Sequence, residues 1–416
     1  MSKEAVERLA ARFDHHDPTF ARDNRPWEVY AVLRERCPVA HSDAWEDGFY
    51  VLSKYADVAR VARDPETFSS RWGITIPGGL PGHEQPPEPS WLIPIALDPP
   101  EWNEWRKLLN QFFAPQAMAR FVPGMRQLAS DLIDQFIERG SADLYDELLA
   151  PFPAIITCRI LGLPEEEWHD FAGPVHDSMQ APPDRNQATA DAIPPHMVEP
   201  IRRMIEIALA RRDDPRDDVL SFLGQAEVHG RPVNELEMAA ITNVLLSGGV
   251  DTTTNATGVT LVELARRPEL RRRLVEDPTL IPMAIEEFLR MWAPFQGLAR
   301  RVMADVEVGG CPMKEGDKVL MLWASANRDP DEFDNADELI IDRSPNRHLA
   351  FGLGPHRCLG AHFARAEIQV ALEEVLRRLP DYEIEESGLQ VARDVGLIYG
   401  YSKVPIKFTP GTRVSS

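Results

Sequence analysis

One segment limits the folds open to this chain more than any other. It is the helical pattern from Glu235 to Arg266. At ~1.5 Å per residue such a helix spans ~48 Å, the width of a whole domain. Asn234 followed by Glu237 makes a capping box that fixes its start. Through Leu246 it is apolar on most sides, which places it in the interior with other elements packed around it. A chain built about such a rod is mainly α with minor β. Helical periodicity recurs over Glu101–Phe113, Ala117–Arg139, Leu144–Leu161, near Glu165–Met179 and Met197–Arg212, and over Glu269–Glu276 and Ile281–Trp292. Strand patterns are short: Gly48–Ser53, Val306–Val308, Lys318–Trp323 and Val404–Phe408, with a turn or small hairpin at Val228–Val233. Ser69–Leu97 and Ala181–Pro195 are Pro-rich, lack sustained periodicity and read as long loops. No repeat or boundary divides the chain, so one domain over residues 1–416 is expected.

The long helix carries a contradiction in its middle, Ser247–Asn255, SGGVDTTTN. Interior glycines cost ~1 kcal/mol each relative to alanine. Asp and Thr side chains compete for the backbone's hydrogen bonds. One reading is a local opening of the helix that makes room for a small ligand, beside an acid and an alcohol able to deliver protons. The other is glycines for close helix packing and threonines bonded back to their own helix. The residues alone leave both open.

A second segment, Phe351–Gly360, reads FGLGPHRCLG. Cys358 stands between glycines, with basic residues on its N-terminal side. It opens a helical pattern with apolar positions at Leu359, Phe363, Ala366, Val370 and Ala371. Unpaired N–H groups and the positive end of a helix dipole favour a thiolate there. Gly352, Gly354 and Gly360 let something large and flat approach the backbone. Such a thiolate suits a haem iron. Zinc is the rival, since His362 is four residues on and His356 is near, but no CxxC or HxxxH completes a ligand set. Cys37, Cys158 and Cys311 read as small buried hydrophobes.

The charge balance excludes some functions. The formal net charge of −21 argues against nucleic acid and anionic membrane surfaces. The N-terminus is charged and no apolar run reaches the ~18 residues of a membrane span, so a soluble, cytoplasmic protein is expected. Four widely spaced cysteines give no disulfide framework and fit a reducing compartment. Glu287 and Arg290, three apart, share a helix face, and Arg343 can join them in a buried charge network. Arg106, Arg300 and His356 are candidate partners for anionic groups of a cofactor.

Together these segments resemble the cytochrome P-450 superfamily of haem-thiolate monooxygenases. The likeness is to its soluble bacterial members, and to the camphor-hydroxylase group in particular. FGLGPHRCLG fits the haem-binding pattern FGxGxHxCxG. GGVDTT fits the oxygen-binding helix motif AGxDTT, with Gly248 for the common alanine and Gly249 retained. EEFLR fits ExxR, Asp98–Arg106 fits the helix that crosses one haem edge, and SANRDP at Ser325–Pro330 is similar to the family too. The motifs run in the family's order from about Asp98 to the C-terminus, a coincidence that independent motifs rarely produce.

The resemblance implies the cytochrome P-450 fold, with haem b lying against the long helix. It assigns Cys358 to the iron and Arg106, Arg300 and His356 to the propionates. Trp102 stands where many relatives carry a propionate-binding histidine. Phe351, Gly352, Gly360 and Gly248 fall against the macrocycle. Glu287, Arg290 and Arg343 match a structural charge triad. Asp251 and Thr252 match the acid–alcohol pair that routes protons during O2 activation. Val244, Ser247, Gly248, Phe295, Leu298, Leu397 and Ile398 align with pocket walls, and the loop Trp72–Ile95, with Ile74, Trp91 and Ile93, with the lid. Apolar walls favour a hydrophobic substrate held by shape, such as a terpenoid or other compact cyclic compound. The implied electron supplier is a [2Fe–2S] ferredoxin with an NAD(P)H-dependent reductase, meeting Arg106, Lys107 and Arg357 on a monomeric enzyme. A peroxide-using haem-thiolate enzyme and a non-catalytic haem sensor are the alternatives; the Asp251–Thr252 pair argues for the O2 route.

Overall fold

The expected rod forms as one unbroken α-helix over Glu235–Ala265. Its capping box is complete: Asn234 Oδ1 accepts from the Glu237 N–H at 3.0 Å, and Glu237 Oε2 accepts from the Asn234 N–H at 3.0 Å. Twenty-two of its residues are buried, so neighbours cover nearly every side. The computed structural model describes residues 2–23, 25–45, 48–76, 92–180 and 195–414. Within them the chain runs through α1 (Lys3–Ala11), α2 (Pro18–Asp23), α3 (Pro26–Arg36) and α4 (Tyr55–Arg63), then α5 (Glu101–Phe113), α6 (Pro115–Ala119), α7 (Val122–Asp134) and α8 (Pro151–Leu161). It continues through α9 (Trp168–Gln180), α10 (Pro195–Ala210), α11 (Val219–Gln225), the rod α12, α13 (Pro268–Glu276) and α14 (Ile281–Met291), to α15 (Trp323–Ala326) and α16 (Ala361–Arg378). The fold is mainly helical with small sheets. None of the described helices is long and apolar enough to cross a membrane.

Two helical expectations need correction. Ala117–Arg139 is broken between α6 and α7, where Pro123 opens α7 and cannot continue the preceding turn. Leu144–Leu161 is a π-turn, Tyr145–Leu149, followed by α8, whose first turn holds Pro151. The hairpin near Val228–Val233 forms, with His229 and Gly230 both at positive φ (53° and 72°), the backbone of a two-residue hairpin turn.

The main sheet has five strands, in the order Val39–Ser42, Phe49–Leu52, Lys318–Met321, Leu298–Val302 and Phe68–Ser69. Phe49–Leu52 and Lys318–Met321 run parallel with Val51 opposite Leu320, and the other pairs are antiparallel. Side chains alternate along Leu298–Val302, so Leu298 and Arg300 leave the same face. That face borders the cavity beneath α12. α12 packs against α8, α9, α10 and α16, and α16 against α14. The cavity therefore lies where rod, sheet face and the loop before α16 converge.

Candidate active site

The cavity encloses about 1580 Å³ of empty space, counting its open mouth. Its roof is one stripe of α12: Val244, Leu245, Gly248, Gly249, Thr252, Thr253 and Ala256. Its floor is the loop around Cys358, with Phe351, Gly352 and Gly360. Phe295 and Leu298 wall one side, and Trp102, Arg106, Arg300 and His356 close one edge.

The loop owes its shape to glycine. Gly352 and Gly354 take positive φ (66° and 71°), and a Cβ on Gly354 would lie 2.3 Å from the Ala62 carbonyl oxygen. The Cys358 N–H donates to the Phe351 carbonyl at 2.8 Å, which presents the thiol upward. Cys358 is exposed into the cavity, while protein encloses it on the other sides. This burial pushes the thiol above its ordinary pKa; the Gly360 N–H and the Arg106, Arg365 and Arg357 guanidiniums pull the other way and do not overcome it. The helix begins at Ala361, past Cys358, so the thiol does not sit at the helix start expected from the sequence, and desolvation outweighs the dipole there.

The cationic edge has donors to spare. Arg300 is buried, and its pKa is lowered to about 10 by burial, with only the more distant Asp98 opposing. Its Nη1 donates to the Ala299 carbonyl at 2.7 Å. Arg106 donates to Asn110 Oδ1 at 3.1 Å. Among the described residues neither forms an ion pair. His356 Nδ1 is buried without a partner, while Nε2 meets Ser70 Oγ at 3.3 Å. Trp102 stands edge-on to His356 with ring centroids 5.7 Å apart, beneath the Arg106 guanidinium. A buried arginine, a half-buried one and an orphaned imidazole nitrogen at one edge call for an anion that the chain does not supply. A flat group bearing carboxylates at that edge, with a cation above Cys358, fits the cavity. Gly248 and Gly360, with open space where a Cβ would stand, leave room for it. No cluster of three His, Cys, Asp or Glu suited to a metal ion occurs among the described residues.

The mid-helix contradiction resolves mostly toward packing. α12 stays helical through Ser247–Asn255. A Cβ on Gly249 would meet Thr157 Oγ1 of α8 at 2.7 Å. Thr252 Oγ1 donates to the Gly248 carbonyl at 2.8 Å, and Thr254, Thr257 and Thr260 bond back to their own helix in the same way. Thr252 lines the cavity. Asp251, one residue and about 100° round the helix, is fully buried and turned toward α9, where it meets His176. The motif gave no sign of His176.

The neighbouring acids of α14 serve two networks for the same angular reason. Glu287 receives Arg290 Nε at 2.7 Å, Arg343 Nε at 3.0 Å, the Ile340 N–H at 2.9 Å and Asn346 Nδ2 at 3.0 Å. Arg290 also reaches the carbonyls of Asn327, Ala336 and Glu338, so this fully buried pair spends nearly all its hydrogen bonds. Glu286 instead receives Arg365 and His348, which hold its carboxyl at about 2 although burial alone would raise it. Arg365 lies over the Phe351 ring at 4.2 Å and so ties α14 to the cysteine loop. Glu286 escaped the sequence reading, its signal being only a second acid beside Glu287.

Several expected pocket residues lie elsewhere. Ser247 stays off the cavity stripe, 3.5 Å from Asn243 Oδ1. Ile398 is buried in a bridge to Phe295, and Leu397 offers its carbonyl to the Gln296 N–H at 3.0 Å; neither is among the residues that line the cavity. Ile74 and Ile93 are core residues, and Pro94 and Ile95 reach the cavity in their place. Trp72 packs under Arg301. Trp91, with residues 77–91, lies outside the described residues, as do residues 181–194. Thr157, Ile160 and Leu161 of α8 and Glu367 of α16 line the cavity without having been foreseen.

Comparison with known proteins agrees over nearly the whole chain. The family model described as Cytochrome P450 matches residues 185–386. Cytochrome P450 130 of Mycobacterium tuberculosis is 37% identical, over 87% of this chain and 90% of that protein. A steroid C26-monooxygenase of Mycolicibacterium smegmatis is 32% identical, over 95% of this chain and 96% of that one. The solved structure of a mutant of P450 EryK in complex with erythromycin B superposes with a TM-score of 0.83 at 29% identity, covering 95% of this chain and 99% of that one.

Proposed function

Since the chain belongs to the cytochrome P450 family, we propose that Cys358 ligates the iron of its haem and that the cavity roof on α12 is the face where O2 and substrate meet. At the family level the protein is a haem b monooxygenase, an oxidoreductase that uses O2 on a small-molecule substrate. The observation that carries the finer reading is the pairing of a cavity-facing thiol with two arginines at one edge, Arg300 buried and Arg106 half-buried, neither in an ion pair among the described residues.

Arg106, Arg300 and the orphaned His356 Nδ1 hold the two propionates, with Trp102 buttressing Arg106. The bound haem supplies the oxidising chemistry, reductive activation of O2 and hydroxylation of a C–H bond. The chain's part is to place groups. Gly360 N–H and three arginines stabilise the thiolate charge once a cation sits above it. Thr252 offers a hydroxyl at the roof, and Asp251 behind it relays protons toward the cavity. Val244, Leu245, Phe295 and Leu298 exclude water and orient an apolar substrate by shape. That substrate is a compact hydrophobic molecule of cyclic, terpenoid-like type; a relative's name points to a steroid and a neighbour's structure holds erythromycin B, so ring compounds are the first class to try. Electrons come from a [2Fe–2S] ferredoxin with an NAD(P)H-dependent reductase, docking where Arg106, Lys107 and Arg357 give positive charge to a chain of net charge −21.

Two measurements test this. The reduced carbon monoxide difference spectrum should show the thiolate-type band in wild type and lose it in Cys358→His. A panel of terpenoids and steroids should shift the ferric spin state, and turnover should require a ferredoxin system. Turnover with hydrogen peroxide alone at the same rate would favour the peroxide-using alternative.

A further inference from the structure

Asp251 has a partner that no motif predicted. His176 of α9 meets Asp251 Oδ1 through Nδ1, across 75 residues of chain. Among the described residues Asp251 Oδ2 has no hydrogen-bond partner, and His176 Nε2 is likewise buried without one. The imidazole is only 14% exposed, and Tyr145 packs edge-on against it with centroids 6.2 Å apart. α9 packs against α8, α10 and α12. Most of the charged side chains on α10, α8 and α12 are engaged with partners of their own. On α10 His196 meets Ser178, Arg202 meets Glu199 and Glu206, and Arg203 meets Glu167 and Asp170. On α8 Arg159 meets Glu165, and burial pushes the Cys158 thiol up to about 12. On α12 Glu237 meets Arg231, and Glu263 meets Arg266 and Arg267. Asp177 is the next residue along α9.

A buried carboxylate needs a donor. The neutral imidazole with its proton on Nδ1 supplies one and leaves a lone pair at Nε2. The imidazolium would leave a buried Nε2–H with no acceptor. The resting couple is therefore a carboxylate and a neutral, Nδ1-protonated imidazole. We propose that His176 is the positioning residue and proton carrier for Asp251, taking a proton from water at Nε2 and releasing the Nδ1 proton to Oδ1. The proton count closes: imidazole plus one proton gives imidazolium, and transfer leaves a neutral carboxylic acid and an imidazole protonated at Nε2. Once Asp251 has passed its proton on, ring rotation or exchange with water restores the first tautomer. This rests on the reading of Asp251 as proton donor given above.

The test uses the haem-loaded wild type, His176→Gln and Asp251→Asn. The glutamine amide can still donate to Asp251 but carries no transferable proton. Nitrogen-15 histidine spectra of the diamagnetic ferrous carbon monoxide form should show one imidazole protonated at Nδ1 and bare at Nε2, lost in His176→Gln and shifted in Asp251→Asn. If that imidazole is protonated at Nε2, or is indifferent to Asp251→Asn, the proposal fails. With a [2Fe–2S] ferredoxin system driving oxygen consumption, His176→Gln should slow the proton-dependent step about 10-fold and change its pH profile. A rate and profile equal to wild type overturn it. The carbon monoxide spectrum separates the two readings: an intact thiolate band with a failed histidine result sinks His176 alone, and no such band in wild type sinks the Cys358 assignment.

Discussion

Gly249 lies directly beneath Thr157: a methyl group on it would stand 2.7 Å from Thr157 Oγ1 and 3.3 Å from Cγ2. Thr157 is β-branched and sits in a helix, so it has little freedom to yield. Gly248, one residue earlier, has nothing within 4 Å of the same position. The two adjacent glycines therefore differ in kind. Gly249→Ala should destabilise the protein by about 1–3 kcal/mol through overpacking. Gly248→Ala should be neutral or gain up to about 1 kcal/mol from helix propensity. Thermal unfolding of both variants checks this, and Thr157→Ala should rescue Gly249→Ala in a double-mutant cycle. Equal effects at the two positions would refute the packing assignment.

Glu287 accepts from two guanidiniums, a backbone N–H and an amide at once, with no solvent to replace it. Glu287→Ala leaves Arg290 buried without its counter-charge, and breaking such a pair costs about 3–5 kcal/mol. The expected outcome is little folded protein, or a chemical-denaturation midpoint far below wild type. Glu286→Ala should act differently. It frees Arg365 from its place over Phe351, so haem retention should fall more than global stability.

These networks show where the sequence was readable. Asn234 with Glu237 gave the start of α12, because a capping box is a contact between residues three apart. Glu287 with Arg290 was readable for the same reason, and FGLGPHRCLG declared its loop through glycines that only special backbone needs. The helix break before Pro123 was missed because apolar periodicity continued through it. The partner of Asp251 was beyond reach, since His176 meets it only after α9 folds across α12. Ser247 lies one residue from Gly248, which on a helix is about 100° of rotation, enough to leave the cavity stripe, and a motif read along the chain does not resolve that turn. Leu397 and Ile398 join the Phe295–Gln296 stretch of the wall through backbone contacts, which a sequence pattern does not distinguish from lining the cavity.

Arg300 should reveal its purpose through a trade. Its burial without a paired carboxylate lowers its pKa to about 10, a sign that the apo-protein bears a desolvation cost there. Arg300→Leu should leave the haem-free protein as stable as wild type or more so. The same change should weaken haem retention by at least about 10-fold, since one buried charge-assisted contact to an anion is worth about 1.5–3 kcal/mol. Thermal unfolding of the apo-protein and haem transfer to apomyoglobin measure the two arms. A loss of apo stability with unchanged haem transfer would mean that Arg300 is purely structural.

Glu367 yields the prediction with a definite pH sign. It lies on α16 at the cavity, fully enclosed; burial raises its pKa well above 4.5, and the Thr253 hydroxyl bonded to it opposes only in part. Its folded pKa exceeds its unfolded one, so the folded state holds the proton more tightly. The stability this group contributes is complete below pH 4.5 and is lost as pH rises through the folded pKa. Glu367→Gln keeps the shape and hydrogen-bonding capacity of the protonated acid and has nothing to ionise. It should therefore unfold at a higher temperature than wild type at neutral pH, with the difference shrinking toward zero as pH falls to about 4.5. Unfolding curves across that range decide the matter: a difference that grows on acidification would show that Glu367 is ionised in the folded protein, held by a cation rather than by burial.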